Sequence, residues 1–160
     1  MWTPEQIWIW LEEVKDPEIP VLSLVDLGVV TKVEVSTNGK VDIVLTPTFA
    51  GCPAMAYMKK AVEDSLQAHG VSDFNVNLSF DKPWNSNKIS EKGKKALKQF
   101  GLAPPPAYDR ILDLEILNQA ICPYCQSTNT SLRTPFGPTL CRSMHYCHNC
   151  HQLFEQFKPV

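Results

Sequence analysis

The chain has 160 residues, 44% of them hydrophobic and 20% charged, with a formal net charge of −2, enough for one domain of ordinary size plus a small one. Near-neutral charge argues against a dominant nucleic-acid surface, which shows as a basic excess, and no apolar run approaches the roughly 18 residues a membrane helix needs. The N-terminus lacks a basic region followed by an apolar stretch, so neither a secretory signal nor membrane attachment is expected.

Along the chain, "TPEQIWIWLEEV" predicts a first helix: Thr3 as cap, Pro4 at the first helical position and Gln6 completing a capping box. Ile7, Trp10, Leu11 and Val14 form its apolar face, and Pro17 stops it near Lys15. The period then changes to two. Val29, Thr31, Val33 and Val35, then Val41, Ile43 and Leu45, predict a β-hairpin, with Asn38-Gly39 supplying the positive φ angles of a tight turn. A second helix is expected from Pro53 to about His69, burying Met55, Met58, Val62 and Leu66 and stopping at Gly70. Phe74, Val76, Leu78 and Phe80 predict a third strand. This order of elements implies an α+β fold, a small α/β sandwich with helices on one face of a short mixed sheet.

Residues 90–100 read as a short polar helix interrupted by Gly93, and "GLAPPPAYD" as a semi-rigid linker. The expected division is an α/β domain over 1–100, a linker over 101–119 in which "ILDLEIL" can form a strand, and a cysteine-rich domain over 120–160. Five of the six cysteines lie there, as "CPYC" (Cys122, Cys125), Cys141 and "CHNC" (Cys147, Cys150). Two CxxC pairs can each present two thiolates to one tetrahedral Zn²⁺, and so short a segment needs such a staple. A structural zinc ribbon is therefore expected, ahead of an iron–sulfur cluster or disulfides, in a reducing cytoplasm. Gln126 stands where such knuckles favour glycine, so strain is expected in that turn. Cys141 is an alternative ligand, whereas His145, His148 and His151 are expected as exposed loop residues. The segment 121–160 carries Arg133, Arg142 and Lys158 against Glu155, too thin a surplus for phosphate binding. Protein docking or a purely structural role is the better expectation.

Cys52 stands apart, in "TPTFAGCPAM" (46–55), where the second helix is expected to begin. A helix start stabilises thiolate over thiol; Gly51 exposes the sulfur, and Thr46 and Thr48 add hydroxyls. A nucleophilic enzyme would need a base, and the first domain's sole histidine, His69, is expected about four turns away. In "DPEIP", Asp16 and Glu18 flank a proline and can bind a metal or a basic partner, or simply stop the helix.

Taken together, "DPEIPVLSLVDLG" (16–28), "TPTFAGCPAM" and the tail "CPYC…CHNC" resemble the PaaD family of accessory proteins of bacterial phenylacetate degradation. The first domain resembles the wider iron–sulfur assembly family that includes SufT and the eukaryotic cytosolic Cia targeting factors, and "PFGPTLC" (135–141) resembles a further PaaD segment. At 83–90, where related chains are more aromatic, this one reads "PWNSNKIS". The resemblance implies a non-enzymatic factor that matures or delivers iron–sulfur clusters, working with other assembly factors. Cys52, Asp16 and Glu18 are the implied functional marks, supported by Thr46 and Thr48; Asp26 and Gly28 are implied to shape their loop. The implied client is phenylacetyl-CoA epoxidase, through its iron–sulfur reductase component, with zinc in the tail and a transient iron or cluster at Cys52. A thiolate at a helix start suits transient iron binding. An adaptor subunit of that oxygenase and a Cys52-dependent enzyme are the competing readings. The sequence leaves the oligomeric state open, a homodimer included.

Overall fold

A computed structural model describes residues 1–107 and 114–159. The chain divides into two compact units, Met1–Trp84 with Lys88–Ser90, and Asn85–Asn87 with Glu91–Val160.

In the first unit, α1 (Pro4–Leu11) opens with the expected capping box, in which Thr3 and Gln6 exchange side-chain and backbone hydrogen bonds. Ile7, Leu11 and Val14 are buried, while the ring of Trp10 stacks on His69 at 4.3 Å. The helix ends earlier than Lys15, which instead forms a β-bridge with Ser23. Beyond the helix, Asp16 Oδ1 accepts the backbone N–H groups of Glu18 and Ile19, both at 2.8 Å, and so shapes the turn that carries Pro17 and Glu18.

β1 (Val30–Val35) and β2 (Val41–Leu45) pair antiparallel. Their connection differs from the expected two-residue turn. Ser36 N–H bonds to Lys40 C=O and Gly39 N–H to Ser36 C=O, and only Gly39 takes a positive φ, +87°. This is a three-residue loop closed by a glycine bulge. α2 (Met55–Ala68) buries Met55, Met58, Val62 and Leu66, as read from their spacing. β3 (Phe74–Leu78) then adds to β2 in parallel, giving a mixed sheet of order β1-β2-β3. A parallel neighbour requires a crossover, and the stretch from Thr46 through α2 is that crossover. Leu22, Leu24, Leu27, Ile43, Leu45 and Leu66 are at most 1% exposed, each contributing about 2–3 kcal/mol by burial.

The turn Asp26–Gly28 clamps the segment that follows β3. Asp26 accepts Ser23 Oγ–H at 2.9 Å and Ser90 Oγ–H at 2.6 Å, and its carbonyl takes Ser90 N–H. Trp84, 5% exposed, donates its indole N–H to Leu27 C=O at 2.9 Å. Gly28, at φ +76°, leaves no room for a side chain: a Cβ there would lie 2.7 Å from both Cβ and C=O of Lys88.

In the second unit, α3 (Glu91–Gln99) leads into β4 (Leu102–Ala103), α4 spans Leu114–Leu117, and β5 (Thr130–Thr134), β6 (Arg142–Cys147) and β7 (Leu153–Phe157) follow. These strands form a second sheet of order β4-β7-β6-β5. The unit thus begins before the expected linker, because β4 pairs in parallel with β7 and α3 packs on β4. The strand expected over 111–117 is a helical turn at 114–117; positions 111–113 lie outside the described residues. No helix among the described residues is long and apolar enough to cross a membrane.

Gly28→Ala is expected to lower the stability of the first unit by about 2–3 kcal/mol, since the left-handed backbone and the Lys88 contact both oppose a Cβ. Urea unfolding followed by the fluorescence of Trp84 and its neighbours measures this.

Candidate functional site

The sulfurs of Cys122, Cys125, Cys147 and Cys150 all lie within 4.8 Å of one another. The pairs Cys122–Cys150 and Cys125–Cys147 are 3.7 and 3.5 Å apart. Four thiolates at about 2.3 Å from a tetrahedral zinc are about 3.8 Å apart, so this donor set fits the ion; a disulfide requires about 2.05 Å. Both knuckles are built alike. Cys122 N–H bonds to Ser127 C=O and Gln126 N–H to Cys122 C=O; Cys147 N–H bonds to Gln152 C=O and His151 N–H to Cys147 C=O. Each turn closes on a residue with positive φ, Gln126 at +64° and His151 at +60°. The strain expected at Gln126 is therefore present, and it is repeated at His151.

The ligands also form the local core. Cys122 and Cys147 are fully buried with Ala103, Ala120 and Phe154, and Cys125 and Cys150 pack against them. Asn149 Nδ2–H, donating to the Cys125 sulfur at 3.5 Å, lowers that thiol to about 6, whereas burial and the surrounding thiols push Cys150 up to about 12. Cys141 is not part of the cluster; its sulfur lies 3.0 Å from Thr139 Oγ1.

His148 and His151 are exposed as expected, but His145 is fully buried. It sits two residues before Cys147 on β6, and two-residue periodicity turns both toward the same face. Its Nε2 pairs with Ser143 Oγ at 2.8 Å, its ring stacks on Phe154, and burial lowers it to about 4. Knowing Cys147 to be a ligand, strand alternation alone would have identified His145 as an inward residue.

In the first unit, Cys52 is half-buried between the exposed Gly51 and Pro53. Its N–H bonds to Phe49 C=O and its C=O accepts Met55 N–H. The cap of α2 is Ala54, so Cys52, expected at or next to the cap, lies two residues before it, within a turn that leads into the helix. Thr46 is buried and shares a 3.1 Å hydroxyl contact with Thr31, whereas Thr48 is half-buried. Asp16 is 7% exposed, with Oδ1 committed to its turn, while Glu18 is exposed. Asp16 and Pro17 line a groove of about 610 Å³ against Tyr57, Ala61 and Ser65 of α2, and Cys52 is not among its lining residues. His69 lies beyond the far end of the 14-residue α2, about 21 Å along the helix. Its Nδ1 contacts Ser65 C=O at 2.9 Å.

Purified protein is expected to hold one zinc per chain by elemental analysis. Chelation, or Cys122→Ser, is expected to unfold the second unit; Cys141→Ser is expected to keep the metal. Gln126→Gly is expected to raise the stability of the second unit by about 1 kcal/mol by relieving the left-handed backbone, read as a higher melting temperature.

Comparisons with known proteins fall on the same two parts. Residues 4–77 match a family described as iron–sulfur cluster assembly protein, and residues 114–158 match the PaaD zinc beta ribbon domain. A protein of Escherichia coli (strain K12), named as a component of 1,2-phenylacetyl-CoA epoxidase, is 33% identical over 97% of this chain and 92% of its own length. An Fe-S protein maturation auxiliary factor of Porphyromonas gingivalis is 35% identical over 56% of this chain and 86% of its own. Among solved structures, a domain of unknown function, DUF59, from Bacillus anthracis superposes with a TM-score of 0.56 at 30% identity. It covers 59% of this chain and 90% of the other. With 33% identity to the Escherichia coli protein over nearly the full length of both, and both domain matches in one chain, this protein belongs to the PaaD family of iron–sulfur cluster assembly proteins carrying a zinc ribbon.

Proposed function

We propose that the chain is an accessory factor that helps mature or deliver iron–sulfur clusters to the phenylacetyl-CoA epoxidase system, its client being the iron–sulfur reductase component. The observation that carries this reading is the placement of Cys52: half-buried, beside an exposed glycine, in the loop that leaves the carboxyl end of β2. A single thiolate is a soft ligand suited to iron and to cluster sulfur chemistry, and one protein ligand is too few for storage, which suits a carrier that must release its cargo. In this reading the iron or cluster is cargo, and the zinc of the second unit is a structural staple.

Within the motif we assign distinct roles. Cys52 is the transient ligand, Glu18 presents charge to the partner, and Asp16 shapes the turn that carries Glu18. Thr46 and Thr48 order the approach to Cys52. An accessory role is favoured over thiol catalysis by the position of His69, held at the far end of α2 against Trp10. Other assembly factors, acting in the cytoplasm, are the proposed source of the cluster. The name of the Escherichia coli relative, as a component of the epoxidase, favours a second reading: an adaptor that stays bound to the oxygenase without transferring a cluster.

Cys52→Ser is expected to leave the fold unchanged by circular dichroism and to reduce the cluster content of the reductase component in cells by tenfold or more. Glu18→Gln is expected to weaken client binding with a smaller loss of cluster. Normal cluster content in cells carrying Cys52→Ser would favour the adaptor.

A further inference from the structure

A second cleft in the first unit, of about 270 Å³, gathers three lysines that cluster delivery does not use: Lys32, Lys82 and Lys88 converge on it with Thr31, Thr46 and Ser79. From the geometry we infer that this cleft is a binding site for a small oxyanion of the phosphate or carboxylate class. Such a site is independent of the role assigned to Cys52. Three of the unit's seven lysines meet at this one place, although the unit as a whole carries twelve carboxylates and a net charge of −5. Chance distribution of charge on an acidic domain does not favour such a grouping, and an anion is the species that relieves it.

Three separate devices build the cleft. The first is a bulge in β1. Val30 pairs with Leu45 and Lys32 with Val44, so Thr31 is the extra residue, and bulges re-aim side chains. Thr31 Oγ1–H reaches Val44 C=O at 3.2 Å, and its oxygen meets Thr46 Oγ1 at 3.1 Å. With its one proton given to Val44, Thr31 accepts the hydroxyl proton of Thr46, and the pair fixes both side chains at the wall of the cleft. The second device is the clamp on residues 84–90. Gly28 lies so close under Lys88 that no Cβ fits between them, while Trp84 and Ser90 anchor either side. The backbone of Lys88 is therefore held in place, so that binding has only its side chain to order. The third is the turn after β3, where Ser79 Oγ–H donates to Asp81 Oδ2 at 3.2 Å and accepts Asp81 N–H, aligning the turn that carries Lys82.

The charges within the cleft leave a positive balance. Lys32 is paired with Glu34 at 2.9 Å, and the lining carboxylate, Asp81, is already engaged by Ser79. Lys82 and Lys88 are the ammonium groups offered to a ligand. The volume accommodates an ion of phosphate or malonate size. Because Thr46 opens the loop that ends at Cys52, an occupied cleft would bear on the start of that loop.

The test is titration of the full-length zinc-loaded protein with inorganic phosphate, then malonate, followed by amide chemical shifts at constant ionic strength held with chloride. Saturable shifts centred on Thr31, Thr46, Ser79 and Lys88 are expected, and Lys82→Ala with Lys88→Ala is expected to weaken binding at least tenfold. Lys95→Ala with Lys98→Ala, on α3, is the charge-matched control and is expected to change affinity less than twofold. Equal responses to phosphate, malonate and chloride overturn the proposal. So does the same loss from the α3 pair as from the cleft pair, or saturable binding that survives the loss of Lys82 and Lys88.

Discussion

The parallel pairing of β2 with β3 is the constraint on which the first unit depends. Two antiparallel strands can be joined by a short loop, as β1 and β2 are, but a parallel neighbour forces the chain to travel the length of the sheet and return. The return is made by α2, which covers the sheet with Met58, Val62 and Leu66. The segment between Leu45 and Met55 must therefore turn from strand to helix at the carboxyl edge of β2, where backbone groups leave the ladder and side chains meet solvent. In open α/β sheets this edge is the usual place for a site, and it is where Cys52 and Thr46 stand.

The two units solve the problem of small size differently. The first has a core of aliphatic side chains from every element, with the Asp26–Gly28 turn holding down the segment after β3. In the second, the four metal ligands themselves join Phe154 and two alanines in one core cluster, beside buried Leu97, Leu102, Leu117 and Phe157. Removing the ion would leave that cluster with buried thiols and no centre, so metal binding and folding are coupled there. The two left-handed residues, Gln126 and His151, are strain that a metal held by both knuckles would offset.

Much of this was legible from residue order. The capping box at Thr3–Gln6, the buried face of α2 and the period of β1 and β2 follow from local patterns that tertiary packing had no reason to override. The ligand set was legible because CxxC spacing is itself a geometric statement. What was not legible depended on partners distant in sequence. The pairing of Leu102–Ala103 with β7 draws α3 into the second unit, and nothing local announces it. His145 looked like a loop residue because imidazole is polar, yet register with Cys147 buries it. The start of α2 falls two residues later than Pro53, because Pro53-Ala54 continue the turn, and Cys52 stands just ahead of the cap. Of the two readings open for Asp16, a ligand or a stop signal, the side chain shows a local structural role, accepting the backbone N–H groups of the turn that follows it.

The central claim is that Cys52 binds cargo iron at a site separate from the structural metal. Its most direct test is metal analysis of anaerobically purified protein, wild type beside Cys52→Ser, after exposure to ferrous iron and sulfide. The account predicts one zinc per chain in both forms and iron in the wild type alone. Equal iron in the two forms, or none in either, would contradict it.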